Sequence, residues 1–278
     1  MYLFLAAATL IYAAPLIWMF STSIKPESQA ISRELTLLPD PASSTLTHAA
    51  ENYTAVWTDP SIDFPLYLRN SLIVAILAVT GMTLSTAVVA YGFSRIRWRG
   101  RAFFFALVIG TMMIPFPVLM SPLYVMFAKA GLIGTLVPLW LPAWFGGAFH
   151  GGFNIFLLRQ FFLSLPRELD EAARIDGCGH LRTFLFIILP LSKPALAVVA
   201  LFYFTYIWND FLAPLIFLTD REHFTLALGL QLYQSKAGNT PWNLLMAAST
   251  MVIAPVLLLF FLTQRTFVQG AAGEGLKE

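Results

Sequence analysis

Cysteine is nearly missing. Cys178 stands alone among 278 residues, which excludes an internal disulfide and a cysteine-rich metal site. Charge is scarce as well: Asp, Glu, Lys and Arg make up 12% of the chain against 58% apolar residues, a balance that water-soluble domains do not carry. A net charge of +2 is too weak to point to nucleic acid. There is no GxxxxGK segment followed by Ser or Thr, so the usual phosphate-cradling loop for ATP is missing. The four histidines, His48, His150, His180 and His223, lie far apart and show neither HExxH nor a paired ligand spacing. No metal site is expected, and the scattered acids and histidines offer no clustered catalytic set, so an enzyme is not expected either.

What the chain does have is apolar length. Its mean hydropathy is +0.72. The apolar residues fall in blocks suited to a hydrocarbon core roughly 30 Å thick, which about 20 residues of helix cross. The short alternating segments of a membrane β-barrel are not seen. Six runs can be placed, at 3–22, 70–91, 102–127, 136–161, 195–218 and 244–263, predicting an all-α integral membrane protein with six transmembrane helices. Pro115 and Pro117 fall inside the third run, where neighbouring membrane helices can re-satisfy the freed backbone. The Gly146-Gly147 and Gly151-Gly152 pairs make the start of the fourth irregular and suit close helix packing. The run from Phe184 to Leu191 is too short to cross and reads as an interfacial approach to the fifth.

Basic residues orient these runs. Arg95, Arg97, Arg99 and Arg101 crowd the tight connection between runs two and three; five more surround the connection between four and five, and Arg265 and Lys277 lie in the tail. That is eleven on one side against six on the other, so both termini and the polar insert near residue 170 are expected in the cytoplasm. The segment 23–68 carries six acids and isolated aromatics, and is expected to form a small structured cap outside. Residues 1–22 lack the basic n-region of a cleaved signal and their apolar core is too long for one. The chain enters the membrane almost at Met1, with no cytoplasmic lead, which leaves a native start upstream as an open alternative.

The insert 163–177 is the most informative polar stretch. Ser164 is a candidate N-cap, Pro166 suits a first turn, and Glu168, Asp170 and Glu171 put negative charge at the positive end of the helix dipole. Asp170 and Arg174 stand in the favourable order for an i,i+4 ion pair, and Gly177 suits the left-handed stop. About three turns of helix are marginal alone, so something must hold them. Leu169, Ala172, Ala173 and Asp176 would share one low side, open to a close-packed protein partner. The residue pattern equally allows an amphipathic helix lying on the bilayer.

The ordered set Glu171-Ala172-Ala173, Asp176-Gly177 and Ile188-Leu189-Pro190 resembles the EAA loop of permease subunits of binding-protein-dependent ABC importers, nearest to the maltose-permease branch that imports carbohydrates. Tyr67-Leu68-Arg69-Asn70-Ser71-Leu72, Trp208-Asn209-Asp210-Phe211-Leu212, Thr240-Pro241-Trp242-Asn243 and Gln264-Arg265-Thr266-Phe267 follow the same branch in order over nearly the whole chain. The resemblance implies a type-1 ABC importer permease fold, with a first membrane helix at 1–22, an extracytoplasmic segment at 23–68, a permease core at 69–265 holding the EAA loop at 164–190, and a cytoplasmic tail at 266–278. It implies that Glu171, Ala172, Ala173, Asp176 and Gly177 form a cytoplasmic coupling helix seated on an ATPase. The implied partners are a second homologous permease, two cytoplasmic ABC ATPase subunits, an extracytoplasmic solute-binding protein and the lipid bilayer, with no nucleic acid. No cofactor is expected on this chain, and ATP and Mg are expected on the partner ATPase. The implied location is the bacterial inner membrane, and the implied cargo is a carbohydrate; glycerol phosphate through the same machinery, or an ion-coupled secondary transporter, are the alternatives. Cys178 stands where the family usually has alanine and is read as structural.

Asn209 and Asp210 are the main polar exception within a run. A carboxylate there is costly and should face the bundle interior or a wet path, so the pair either shapes a translocation path, contacts the partner permease or packs near a helix end. Tyr203, Tyr206, Trp140 and Trp144 suit a membrane interface better than sugar stacking.

Overall fold

The computed structural model describes residues 1–32, 34, 36–147, 150–234 and 240–274. Arg33, Lys236 and Lys277, which enter the charge count above, lie outside the described residues. Among the described residues all regular structure is helical. The principal helices are α1 (Tyr2–Ser23), α2 (Thr45–Thr58), α3 (Phe64–Ser94), α4 (Arg101–Thr111), α5 (Phe116–Lys129), α6 (Gly151–Ser164), α7 (Glu168–Ile175), α8 (His180–Leu191), α9 (Lys193–Trp208), α10 (Leu212–Phe217), α11 (Leu226–Gln234) and α12 (Trp242–Glu274). They divide into two compact units, one of residues 1–70 and 224–258, the other of residues 71–223 and 259–278.

In the first unit α1 is apolar all round, and only 6% of its candidate span Phe4–Ser23 is buried, which suits a helix facing lipid. Several side chains tie down the polar segment after it, among them Ser21 on Leu37 O, Lys25 on Thr36 O and Asn52. Asn52 of α2, nearly buried, donates to the carbonyls of Ser23 and Lys25 at 2.8 Å each and accepts from Asn243 Nδ2 at 2.8 Å. One amide thus joins the end of α1, the cap helix and the start of α12. Asn52→Ala strands two carbonyls and an amide, each a buried group that then lacks a partner. A loss of about 1–3 kcal/mol is expected, read as a lower melting temperature of the purified protein. The start of α3 is held in the same unit, where Asn70 donates to Phe224 O at 3.0 Å and the Tyr67 ring lies against Gly229.

In the second unit, fully buried small residues bring the helices close. Ala87 and Ala90 of α3 share a core with Leu158 and Phe162 of α6, Ile188 of α8 and Val199 of α9. Ala78 and Met82 form a second cluster with Ala143 and Tyr203.

The expected runs and the observed helices differ at three places. The run 102–127 is two helices bent by 98° between Thr111 and Phe116. Pro115 lacks an N–H and disfavours helical geometry at the residue before it, and Met112, Met113 and Ile114 make only tight turn bonds to the third residue back before α5 starts. The run 136–161 begins as the short turns Val137–Trp140 and Leu141–Phe145, which stop at the left-handed Gly146, φ +63°, before α6 starts. The run 195–218 is interrupted after Trp208 and resumes at Leu212. The short run 184–191 lies within α8, with a π turn over Phe184–Ile188, and α8 meets α9 at 77°. Among the described residues three helices are long and apolar enough to cross a membrane, Phe4–Ser23, Phe64–Ser94 and Trp242–Gln264, and up to five crossings result if each bent pair counts as one.

Candidate functional site

The insert folds as the eight-residue α7, shorter than the expected three turns. The missing turn is at its start. Ser164 ends α6 and its hydroxyl bonds back to Phe161 O at 2.8 Å, so it caps nothing downstream. Leu165, which precedes Pro166, is extended with ψ 142°, as the proline ring demands, and the helix restarts only at Glu168. The stop is as expected from the glycine: Gly177 has φ +76°. Cys178 N donates to Ala173 O at 2.8 Å and Gly177 N to Arg174 O at 3.0 Å, the paired bonds of a Schellman closure.

The helix face also divides differently. Ala173 is buried and Leu169 and Asp170 are half-buried, turned toward the chain. Glu168, Glu171, Ala172, Asp176 and Gly177 are exposed, and Ile175 is 87% exposed. The anticipated low face of Leu169, Ala172, Ala173 and Asp176 is therefore split, with Ala173 serving as the packing foot and Ala172 lying on an open acidic and apolar surface.

Asp170 pairs with Arg95, at 2.5 Å, instead of with Arg174. The Arg95 guanidinium, its side chain 3% exposed, also donates to Phe162 O, to Leu165 O at 2.8 Å and to Pro166 O at 3.4 Å. It fills the space between the carbonyl end of α6 and the acid-rich first turn of α7, both electrostatically suited to a cation. Sequence reasoning treats Arg95 only as one of four orienting arginines. Nothing in RIRWR separates the buried one from Arg97 and Arg99, which are exposed.

The break between α9 and α10 carries the other candidates. Asp210 Oδ1 accepts from the backbone N–H groups of Leu212 and Ala213, at 3.1 and 3.2 Å, and so caps α10. Asn209 Nδ2 closes α9 on Thr205 O at 2.7 Å. Asp210, Tyr203 and Tyr206 line a cavity of about 560 Å³, together with Gly146, Gly152 and Phe127. Asn209, Trp140 and Trp144 are not among its lining residues. Asp210→Ala is expected to cost about 1 kcal/mol through the lost cap, whereas Asp210→Asn keeps an acceptor and the stability. Melting curves of the two variants check this, and equal losses would contradict the capping role.

A family model described as the binding-protein-dependent transport system inner membrane component matches residues 80–272. The chain is 35% identical over 263 residues to the arabinooligosaccharides transport system permease protein AraQ of Halalkalibacterium halodurans, covering 95% of this chain and 90% of that one. It is 35% identical over 265 residues to the trehalose/maltose transport system permease protein MalG of Thermococcus litoralis, covering 95% and 91%. Among solved structures it is similar to a bacterial ABC transporter involved in the import of the acidic polysaccharide alginate, with a TM-score of 0.79 and 25% identity over 95% of this chain and 94% of that one. The chain belongs to the binding-protein-dependent transport system inner membrane component family. It is a multi-pass membrane permease of the ABC import class, whose members are transport proteins and not enzymes.

Proposed function

We propose that the chain is one of two permease subunits of an ATP-driven carbohydrate importer. Full-length likeness to two saccharide permeases carries this reading. In it the chain crosses the membrane six times, through α1, α3, the α4–α5 pair, α6, the α8–α9 pair and α12, and both termini and α7 face the cytoplasm. Residues 23–68 stand outside, where a solute-binding protein delivers cargo, and the permease core runs over 69–265 with the tail after it.

The open face of α7, with Glu171, Ala172, Asp176 and Gly177, seats in one of two ATPase subunits, while Ala173 anchors the helix to its own chain. ATP and Mg are held by those partners. Closure of the ATPases moves α7, and the helices packed on it switch the path between its two openings. Asp210, Tyr203 and Tyr206 border this chain's share of the path.

The cavity's lining includes Asp210 but neither lysine nor arginine among the described residues, so a phosphorylated solute gains no charge complement there, whereas a neutral saccharide loses none. Uptake of radiolabelled maltose, trehalose, arabinotriose and sn-glycerol 3-phosphate by proteoliposomes of the complete complex tests the assignment. Saturable uptake of a saccharide, with none of glycerol phosphate, is expected. Uptake of glycerol phosphate alone would overturn the carbohydrate reading.

A further inference from the structure

We infer that Tyr91 and Arg95 are positioning residues that lock the insert to the end of α3, so that α3, α6 and α7 move as one block. This inference rests on the proposal that α7 is the coupling helix.

The insert is covalently continuous with α6 before it and α8 after it. Its hold on α3 is not covalent and runs through two side chains one helical turn apart. Arg95, just past the end of α3, grips the entry of the insert at Phe162 O, Leu165 O, Pro166 O and the Asp170 carboxylate. Tyr91, in the last turn of α3, donates its hydroxyl to His180 O at 3.1 Å, on the exit side. Its ring packs on Phe184 with centroids 4.9 Å apart. A third contact reinforces the α6 side, where Arg159 Nε donates to Phe93 O at 3.2 Å and its guanidinium lies 4.1 Å from the Phe105 ring.

Spacing of four puts Tyr91 and Arg95 on one face of the chain end, so entry and exit of the insert are held from the same side. His180 O, in the first turn of α8, also accepts from Phe184 N–H, whereas the carbonyls that Arg95 reaches lie in the last turn of α6 and in the linker before α7, where ladder donors run out. A displacement of α7 relative to α3 would leave these carbonyls and a buried guanidinium without partners. A push on α7 is therefore passed to α3 directly. A tether through α6 alone would let the insert swing about Pro166, where the helix is already interrupted.

The test uses the complex with its ATPases, second permease and binding protein in proteoliposomes, and reads solute imported per ATP hydrolysed for the saccharide that wild type carries. Tyr91→Phe removes one hydroxyl and keeps the ring on Phe184; Arg95→Lys keeps the charge for Asp170 but cannot reach the carbonyls in parallel. Each alone is expected to lower the ratio about fivefold, and the pair more than tenfold, with assembly and the KM for ATP unchanged. An unchanged ratio in the assembled double variant overturns the inference.

A second measurement needs no change at the bracket. In a Cys178→Ala background, spin labels at Arg97→Cys and Ile175→Cys, both exposed positions, should give one distance distribution in the ATP-free and vanadate-trapped complexes. Different distributions in the two states overturn the block. Gly177→Pro separates this from the underlying proposal: if that variant imports normally, α7 is not the coupler, whatever the bracket does.

Discussion

Gly177→Pro should abolish ATP-driven uptake, by about a hundredfold or more, while the assembled complex still hydrolyses ATP. Gly177 sits at φ +76°, which the proline ring cannot adopt, and its N–H closes the helix on Arg174 O. Losing both costs about 3 kcal/mol locally, which corresponds to a factor of about a hundred in the population of the formed insert. Gly177→Ala is the informative companion. A Cβ there meets nothing within 4 Å, so only the left-handed strain of about 1–2 kcal/mol remains and the loss should be about tenfold. Uptake and phosphate release measured on the same proteoliposomes check the pair. A proline variant that loses hydrolysis and uptake in parallel would mean that Gly177 supports assembly and not transmission.

The largest effect on stability is expected from Gly152→Leu. A Cβ at this position in α6 would lie 2.9 Å from Val108 O, 2.8 Å from Met112 Cγ and 3.2 Å from Thr111 Oγ1. Met112 can turn aside, but a backbone carbonyl within α4 cannot, so α4 and α6 must separate. Between membrane helices there is little hydrophobic drive to restore such a contact, because lipid tails fill the gap as well as a side chain does. Alanine alone should cost about 1–3 kcal/mol, and leucine should prevent recovery of the assembled complex. Gly110→Ala is the control. Nothing lies within 4 Å of that Cβ, and Gly110, in the last turn of α4, does not take a left-handed φ, so alanine there should be neutral or stabilising. Size-exclusion yield and melting temperature in detergent separate the three. Normal assembly of Gly152→Leu would show that α4 and α6 are not packed through that glycine.

The broad architecture was legible because a membrane imposes long apolar blocks and because the EAA-like stretch, the Asn-Asp pair and the terminal motifs occur in family order. Existence of the helices followed from composition; their interruptions did not. A proline in a membrane helix is compatible with a kink or with a full break, and only the backbone around Met112–Pro115 decides between them. Gly177 was readable because only glycine takes its conformation cheaply. Ser164 misled for the opposite reason: serine before Leu-Pro serves equally as a cap or as the last residue of a helix, and the extended Leu165 settles the matter. The alanines at 172 and 173 look alike in sequence yet face opposite ways, since their sidedness depends on where α7 begins. Arg95 was the larger miss. Its burial depends on carbonyls almost seventy residues away, and no local pattern distinguishes it from its exposed neighbours. Asp210 was found as an anomaly, but its cap on Leu212 and Ala213 requires the helix break that sequence did not show.

The central claim, an importer driven by an ATPase bound in trans, is tested most directly by omission. The chain is reconstituted with its second permease, ATPase and binding protein, and saccharide uptake is followed with ATP supplied to the ATPase side. Uptake that requires all four components and ATP, and stops when any one is withheld, is the predicted result. Uptake sustained by an ion gradient without the ATPase would contradict it.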